Sequence, residues 1–535
     1  MPTHLSYSIP DRPRKKRILR IPESHSLYVC PQSCCRRQAI RAFRNGEADR
    51  MAFLQISQAD LVSGDYEGQV ADAVARLLDA LPAQPRVMQL YVNCIDDFLG
   101  TDGEVLLEGL QEQFPDLRFS LSHINPIAVD VADDFASKMH SGLYGLLEAP
   151  AQRDLGVSAF GGFEAPAAES ELAPALAATG AGPVRHIVTC RTFAEYQQLA
   201  KSSVAVCVSR SGRAVAEGIA ARFGMRHLTW TATYGLDEVE AHYRQLAELL
   251  DAARAELAGC EADGVAGGGA DSAGCDLANN LGDLTDDLTD EVGGVVGESG
   301  NVQFGGGAAS ASCEVIFADQ GSAVDECTAC ANENISSADP SMGFLCEFSG
   351  AATDSWSAMQ PVLDPAREAA AAAVRRAQQA VGSVPVVVGS DASFSPFELA
   401  FNLIEYGFDV RVVLALHMKG ADEDAEARLL AAYPHVRTVR EKSVDALEID
   451  AEAANWLAIG ADAAFLMGAT RVVDMYHDEG YFGYQGIERL MNEVTAAMGE
   501  GADAAAKYAA DANAVSADER AAVAFTATAT KGAGE

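Results

Sequence analysis

The chain has 535 residues, of which 49% are hydrophobic, and its formal net charge at pH 7 is −38. This length exceeds what one hydrophobic core supports and predicts about two to four domains. The acidic charge argues against nucleic acid as a partner, because an acidic surface repels phosphate. No run of eighteen or more apolar residues is present, so no membrane-spanning segment is expected.

The start of the chain differs in charge from the rest. Residues 1–25 are predicted to form a basic tail that includes the run Arg12–Arg17, and eleven of the 39 Lys and Arg residues lie in the first fifty positions. The tail lacks the apolar segment of a secretion signal, so a cytoplasmic location is expected. These basic residues have two interpretations. They offset the negative charge of a group bound through thiolates, or they form a solvated face that docks on the acidic remainder of the chain.

Cysteines end two β-like runs in the first predicted domain, residues 26–150. The strand Leu27–Cys30 is followed by Cys34 and Cys35, and the strand predicted over residues 87–92 leads to Cys94. Carboxyl ends of parallel strands meet at one edge of a sheet, which would bring these thiols into one crevice. Such a group favours a metal or redox site. The alternative is that the cysteines are small buried apolar residues.

Strands and helices alternate through the rest of this domain and through the second, residues 151–259, which favours parallel sheets covered by helices. A helix is predicted to begin near Ala39. Further strands are predicted over residues 51–56, 117–121, 157–160, 186–190, 204–208 and 227–231, and helices over 68–81, 103–114 and 214–223. Cys190 ends its predicted strand alone, and Cys207 is predicted to lie in the core.

The alternating pattern stops at residues 260–362, a Gly-, Ala- and Asp-rich acidic segment. Low hydrophobicity combined with charge of one sign predicts a long disordered insertion. It contains six cysteines, and the pair Cys327 and Cys330 has metal-ligand spacing, although the other intervals are irregular. A second Ala-rich acidic segment, residues 499–535, is predicted to be a tail without an assigned role.

The third predicted domain, residues 363–498, contains two candidate sites. Gly389 and Ser390 follow a buried strand and precede a helix, an arrangement that predicts an anion-binding cup. His477 and Tyr481 lie in a Gly- and Tyr-rich loop, where His477 is a candidate acid–base group, ligand or substrate contact. The alternative is a loop histidine that hydrogen-bonds Asp478. Strands are predicted over residues 384–388, 410–416, 436–439, 463–467 and 471–474, and helices over 364–381, 396–406 and 487–497.

Several runs, in this order, resemble nitrogenase component 1 proteins. In the first domain they are Ala59–Gly64 and Leu90–Asp97, and in the third they include Val386–Gly389 and Gly480–Gly486. The helix end 220–224 in the second domain is also similar. The resemblance covers most of residues 26–258 and 363–497 and implies an α/β chain of three Rossmann-like parallel-sheet units.

The resemblance also implies cofactors and partners. The family binds an iron–sulfur cluster, here expected to be [4Fe–4S], through first-domain cysteines. Cys94 matches the strand-end ligand, and Cys30 with Cys34 or Cys35 stands at the first ligand position. Implied partners are an ATP-hydrolysing iron–sulfur reductase, a homologous second subunit or a second copy of the chain, and a small-molecule substrate. The family's middle ligand is absent, because residues 50–57 contain no cysteine.

The resulting hypothesis is a divergent nitrogenase-like oxidoreductase subunit. Its cluster would pass electrons to a substrate, with His477 or Tyr481 supplying protons. Three alternatives stay open: a non-catalytic scaffold for assembling a metal cofactor, an iron–sulfur dehydratase-type subunit, and a cluster-free protein that binds an anion at Gly389 and Ser390.

Overall fold

The structure is a computed structural model that describes residues 19–63, 67–93, 100, 102–124, 140–166, 169–266, 354–415, 421–440 and 455–499. Most of the predicted basic tail, the acidic tail from residue 500 and Cys94 lie outside the described residues. Residues 260–266 and 355–362, at the two ends of the segment predicted to be disordered, are helical. The middle of that segment lies outside the described residues.

The first sheet has four parallel strands in the order β2-β1-β3-β4. Every residue of β1 and β3 is buried, as expected for central strands covered by helices on both faces. The strands are β1 (Ser24–Cys30), β2 (Met51–Gln55), β3 (Val87–Asn93) and β4 (Arg118–Ile124). The helices are α1 (Gln32–Asn45), α2 (Gln58–Ser63), α3 (Glu67–Ala80) and α4 (Gly103–Gln113).

The second sheet also has four parallel strands, in the order β6-β5-β7-β8. The strands are β5 (Asp154–Phe160), β6 (Val184–His186), β7 (Ser202–Cys207) and β8 (Arg226–Thr229). The helices are α5 (Leu172–Ala178), α6 (Phe193–Gln197), α7 (Arg213–Phe223) and the long α8 (Leu236–Ala266).

The third sheet has five parallel strands in the order β11-β10-β9-β12-β13. The strands are β9 (Val386–Val388), β10 (Val410–Ala415), β11 (Arg437–Arg440), β12 (Leu457–Ile459) and β13 (Arg471–Val473). The helices are α9 (Ser355–Val381), α10 (Pro396–Glu405), α11 (Ala421–Ala432), α12 (Ala461–Met467) and α13 (Gly483–Gly499). The predicted class, α/β with three parallel-sheet units, is confirmed. Among the described residues, none of the helices combines the length and the apolar composition that a membrane span needs.

The strand predicted over residues 463–467 is wrong, because this segment lies in helix α12. The run of Ala, Phe, Leu and Met is apolar at every position and shows neither the helical nor the strand period. A buried helix and a buried strand both produce such a run, so the pattern does not distinguish them. Two glycines with positive φ bound the helix, Gly460 at 105° and Gly468 at 58°. The strand of this region is the preceding β12.

The strand predicted over residues 186–190 is also wrong. β6 ends at His186, and Ile187–Thr189 forms a 3-10 helix. The His186 side chain accepts a hydrogen bond from the Val188 N–H at 3.2 Å. Such a side-chain cap satisfies a backbone donor that a strand would otherwise pair, so the β-branched run turns after three strand residues.

A buried carboxylate links the second and third sheets. Glu171, which precedes α5, accepts hydrogen bonds from the Tyr484 N–H at 2.6 Å and the Gln485 N–H at 3.1 Å, both at the start of α13. It also accepts one from the Tyr243 hydroxyl of α8 at 2.9 Å. Because the first N–H groups of a helix have no partner within the helix, this side chain satisfies donors that would otherwise be buried and unpaired.

We predict that Glu171→Ala lowers the free energy of unfolding by about 2–4 kcal/mol, because it leaves these buried donors without an acceptor. Urea unfolding followed by circular dichroism measures the change. Glu248→Ala, at an exposed position of α8, is the control and should change stability by less than about 0.5 kcal/mol. Equal effects of the two substitutions would contradict a linking role for Glu171.

Candidate functional site

Two of the predicted thiols meet where β1 passes into α1. Cys30 is the last residue of β1, and α1 begins at Gln32, earlier than the sequence predicts, so Cys35 lies in the first turns of that helix. The Cys30 and Cys35 sulfurs are 3.3 Å apart, and both side chains are buried. The Cys35 sulfur also lies 3.5 Å from the Pro31 carbonyl oxygen. The strand end and the helix start therefore place the two thiols in direct contact.

The contact between the two sulfurs shifts the pKa values of the two thiols in opposite directions. The hydrogen bond from the Cys30 thiol lowers the pKa of Cys35, although burial opposes this. The same hydrogen bond is the main cause that raises the pKa of Cys30, and burial raises it further. The first proton therefore leaves Cys35, at the amino-terminal end of a helix, where the helix dipole favours negative charge. A thiolate is the form of cysteine that binds metal.

Aromatic rings line the other side of the pair. Tyr28 stacks on Tyr91 with ring centroids 4.5 Å apart and planes 9° from parallel. Phe53 lies 5.6 Å from the Tyr28 ring. The two tyrosines form one buried cluster with Cys30 and Cys35, and the partly buried Phe53 packs against this cluster. The sulfurs therefore face an apolar environment that keeps water away from a bound group on that side.

The other two predicted ligands are placed less completely. Cys34 is exposed, one position before Cys35 on α1. Cys94 lies outside the described residues and follows Asn93, the last residue of β3, directly. The Asn93 side-chain amide donates to the Val29 carbonyl oxygen at 3.2 Å. Among the described residues, no group of three or more His, Cys, Asp or Glu side chains is arranged to hold a metal ion.

The predicted anion-binding cup of the third sheet holds a carboxylate of the chain itself. The Ser390 N–H and hydroxyl donate to one Asp462 carboxylate oxygen at 2.6 and 2.9 Å, and the Asp391 N–H donates to it at 3.3 Å. A Cβ at position 389 would lie 2.0 Å from the other oxygen of Asp462, so the site requires glycine there. A cofactor contact at Gly389 and Ser390 stays a prediction, and an external anion would have to replace Asp462.

His477 is held by an unusual backbone conformation. Its φ of 47° lies in the left-handed region, and its N–H donates to the Asp391 carbonyl oxygen at 2.8 Å. The imidazole stacks on Phe394 with centroids 4.5 Å apart and lies 4.0 Å from the Tyr476 ring. Left-handed residues other than glycine cost energy and concentrate at functional sites. A role for His477 in acid–base chemistry stays a prediction.

Asp478, next in the chain, is tied to the second sheet. Its carboxylate accepts from the Phe394 N–H at 2.9 Å and from the hydroxyl of Tyr234, a residue 244 positions earlier. Burial raises the pKa of Asp478, even though these hydrogen bonds favour the charged form. The sequence analysis considered Asp478 only as a partner of His477. No local motif marks its pairing with Tyr234, because that contact depends on packing between the second and third sheets.

Tyr481 is buried, with its hydroxyl hydrogen-bonded to Glu493 at 2.5 Å. The Arg489 guanidinium lies over its ring, 4.6 Å from the centroid. The phenol is thus fixed in position by a hydrogen bond to a carboxylate and by the guanidinium over its ring. Its proposed role as a proton donor stays a prediction.

Comparison with known proteins finds similarity to one family over part of the chain and to one fold over most of it. The family model described as nitrogenase component 1 type oxidoreductase matches residues 17–263. The solved structure of nitrogenase Cp1 at pH 6.5 superposes with a TM-score of 0.57 at 13% identity, covering 92% of this chain and 94% of that one. The structure at pH 5 gives 0.54 at 10% identity, covering 93% and 89%. Comparison with curated proteins gives no match.

We predict that Asp478→Asn changes the pH dependence of stability. Because the pKa of Asp478 is raised in the folded chain, its contribution is complete below the ordinary Asp pKa and is lost as pH rises through the folded value. The wild type should therefore lose stability relative to Asp478→Asn as pH rises above about 4, the ordinary pKa of Asp, as measured by thermal unfolding. Asp79→Asn, at an exposed position, is the control. Parallel pH profiles of the wild type and Asp478→Asn would contradict the raised pKa.

Proposed function

Because the family model for nitrogenase component 1 type oxidoreductases matches residues 17–263, we propose that the chain is a component 1-type subunit that binds an iron–sulfur cluster. It acts in the cytoplasm and reduces a small-molecule substrate with electrons from an ATP-hydrolysing iron–sulfur reductase. A homologous subunit, or a second copy of the chain, completes the assembly. The observation that supports this most directly is the contact between the Cys30 and Cys35 sulfurs.

The chemistry of the two thiols fits metal binding. Tetrahedral metal–thiolate bonds of about 2.3 Å place two sulfurs on one metal about 3.8 Å apart. The observed 3.3 Å is close to this separation, so a small side-chain movement makes both sulfurs available to one ion. A [4Fe–4S] cluster takes four cysteine ligands, one at each iron, in which case one of the pair binds and the other stays beside it. Cys34 and Cys94 are proposed as two further ligands, which leaves the fourth iron to a ligand from outside this chain.

A bound cluster supplies one-electron chemistry, and the protein tunes it through ligation, burial and nearby hydrogen bonds. Cys35 provides a thiolate at the start of α1, and Cys30 provides a hydrogen bond to that thiolate. The Tyr28 and Tyr91 rings exclude water on one side. Arg36, exposed on the next position of α1, adds positive charge that offsets thiolate charge.

Protons for reduction are proposed to come from the third sheet. The Tyr481 hydroxyl is connected to Glu493, and His477 lies in the same loop, following the carboxyl end of β13. Ligands of parallel sheets gather at the carboxyl ends of strands, which favours this loop as a substrate contact. The substitution Tyr481→Phe tests this role, because it removes the hydroxyl proton and keeps the aromatic ring beneath Arg489.

A scaffold for assembling a metal cofactor is the second candidate, and one observation favours it. β2 lies directly beside β1, with Cys30 opposite Gln55, and its carboxyl end bears Gln55, Ile56 and Ser57 in place of a cysteine. A site with fewer protein thiolates releases its metal group more readily than a full set does. ATP-dependent substrate reduction with an added reductase distinguishes the enzyme from the scaffold, because only the enzyme turns over.

We predict that the anaerobically purified chain contains iron and sulfide and gives an electron paramagnetic resonance signal after reduction. At least one of Cys30→Ala and Cys35→Ala should lower the iron content at least about twofold, because one thiol of the pair binds the cluster. Cys207→Ala is the matched control, since Cys207 is equally buried but lies in β7 of the second sheet. Iron-free wild type, or equal iron in all three variants, would contradict the proposal.

A further inference from the structure

A cavity of about 790 Å³ lies at the opposite end of β1 from the thiol pair. It is bounded by residues 19–23 ahead of β1, by the segment between α1 and β2, and by the turn that follows β6. A seven-residue strand is roughly 20 Å long, so this cavity is distinct from the proposed cluster site. Its volume falls in the range of small-molecule sites.

Arg20 is the unusual residue of the cavity wall. Its side chain is only 5% exposed, yet its three guanidinium nitrogens have no hydrogen-bond partner among the described residues. The nearest carboxylate oxygen belongs to Glu47, 3.4 Å away, and that oxygen also lacks a hydrogen bond. Buried polar groups in proteins are nearly always hydrogen-bonded, because leaving a charged donor unpaired is costly. The guanidinium is therefore arranged for an acceptor that the described chain does not supply.

The charges around Arg20 favour an anionic acceptor. Arg50 also lines the cavity, with one nitrogen donating to the Ser24 carbonyl oxygen at 3.1 Å. Burial, and then the positive charges of Arg20 and Arg50, lower the pKa of His25 to about 4. His25 is therefore neutral at physiological pH. The positive groups that line the cavity are the guanidiniums of Arg20, Arg50 and Arg191. A guanidinium fork matches a carboxylate or a phosphate with two parallel hydrogen bonds.

Strained backbone accompanies these side chains. Glu23 has a φ of 55°, in the left-handed region that side chains rarely adopt. Its carboxylate accepts a hydrogen bond from the Phe193 N–H of α6 at 2.7 Å, which fixes the cavity wall to the second sheet's helix. Strain of this kind persists only where surrounding structure holds it and is concentrated at ligand clamps and active sites.

Carboxylates from two other segments complete the lining. Glu164 follows β5, and Glu479 follows β13, so both come from the carboxyl ends of parallel strands. Ligands in α/β proteins are bound at such ends. Carboxylates accept hydrogen bonds from hydroxyl or ammonium groups, so a ligand that meets Arg20 with an oxyanion can meet Glu164 and Glu479 with donors.

We propose that this cavity binds a small polar molecule that presents a carboxylate or phosphate group to Arg20 and hydroxyl or ammonium groups to Glu164 and Glu479. The site is independent of the cluster proposed at Cys30 and Cys35. Arg20 is its primary ligand-binding residue, and Arg50 adds positive charge.

The test uses the full chain and two probes, inorganic phosphate and citrate, each followed by calorimetric titration and by thermal unfolding. At least one probe should bind and raise the unfolding temperature, and the probe that binds identifies the oxyanion class. Arg20→Met should weaken that binding by at least about tenfold, because hydrogen bonds to a charged group are lost. Arg213→Met, which removes an exposed arginine paired with Glu217, should leave binding unchanged.

The same variants separate a ligand-binding role from a structural one. Without probe, circular dichroism and thermal unfolding show whether Arg20→Met is folded, because the substitution leaves the Glu47 carboxylate without the guanidinium 3.4 Å away. If Arg20→Met does not fold, Arg20→Lys keeps the charge without the fork and should weaken binding in a folded chain. The proposal is overturned if neither probe binds the wild type, or if binding is unchanged in the folded Arg20 variant.

Discussion

The parallel pairing of β1 with β3 is the constraint on which the proposed cluster site depends. Backbone hydrogen bonding fixes Tyr28 opposite Tyr91, so the carboxyl ends of the two strands lie at the same edge of the sheet. Cys30 ends one of these strands, and Cys94 follows the other. A shift of one residue in this register would turn each side chain to the opposite face and separate the two positions. Backbone pairing, rather than any contact between cysteines, therefore determines where the thiols can meet.

A second level of organisation comes from buried polar contacts between the second and third sheets. Glu171 satisfies the first N–H groups of α13, and Asp478 accepts from Tyr234. Both contacts join residues more than two hundred positions apart, and the polar groups that they pair are buried or partly buried, so both are costly to break. They hold the loop of His477 and Tyr481 in place beside the second sheet. The position of the proposed proton donors thus depends on packing between units.

Most of the α/β architecture could be predicted from the sequence, because buried parallel strands and amphipathic helices leave clear periodic patterns. The strand Val87–Asn93 and the helix Gly103–Gln113 lie within a residue or two of their predictions. Where the pattern is ambiguous, prediction was wrong. The apolar run 463–467 is a helix, and the β-branched run after His186 turns because of a side-chain cap. The hydrophobic pattern alone does not contain the information that decides these cases.

The candidate sites were predictable only in part. The contact between Cys30 and Cys35 could be predicted, because both follow from the end of one strand. Helix α1, which contains Cys35, begins earlier than its apolar pattern indicates. The Asp462 carboxylate in the cup at Ser390, and the buried guanidinium of Arg20, could not be predicted. Each depends on residues distant in sequence that meet only after the sheets have packed.

The most direct test of the central claim is diffraction at the iron absorption edge from crystals of the anaerobically prepared chain. The account predicts an anomalous peak within bonding distance of the Cys30 or Cys35 sulfur, with Cys94 at the same peak. A peak elsewhere in the chain, or protein without iron in which the two thiols remain in contact with each other, would contradict it.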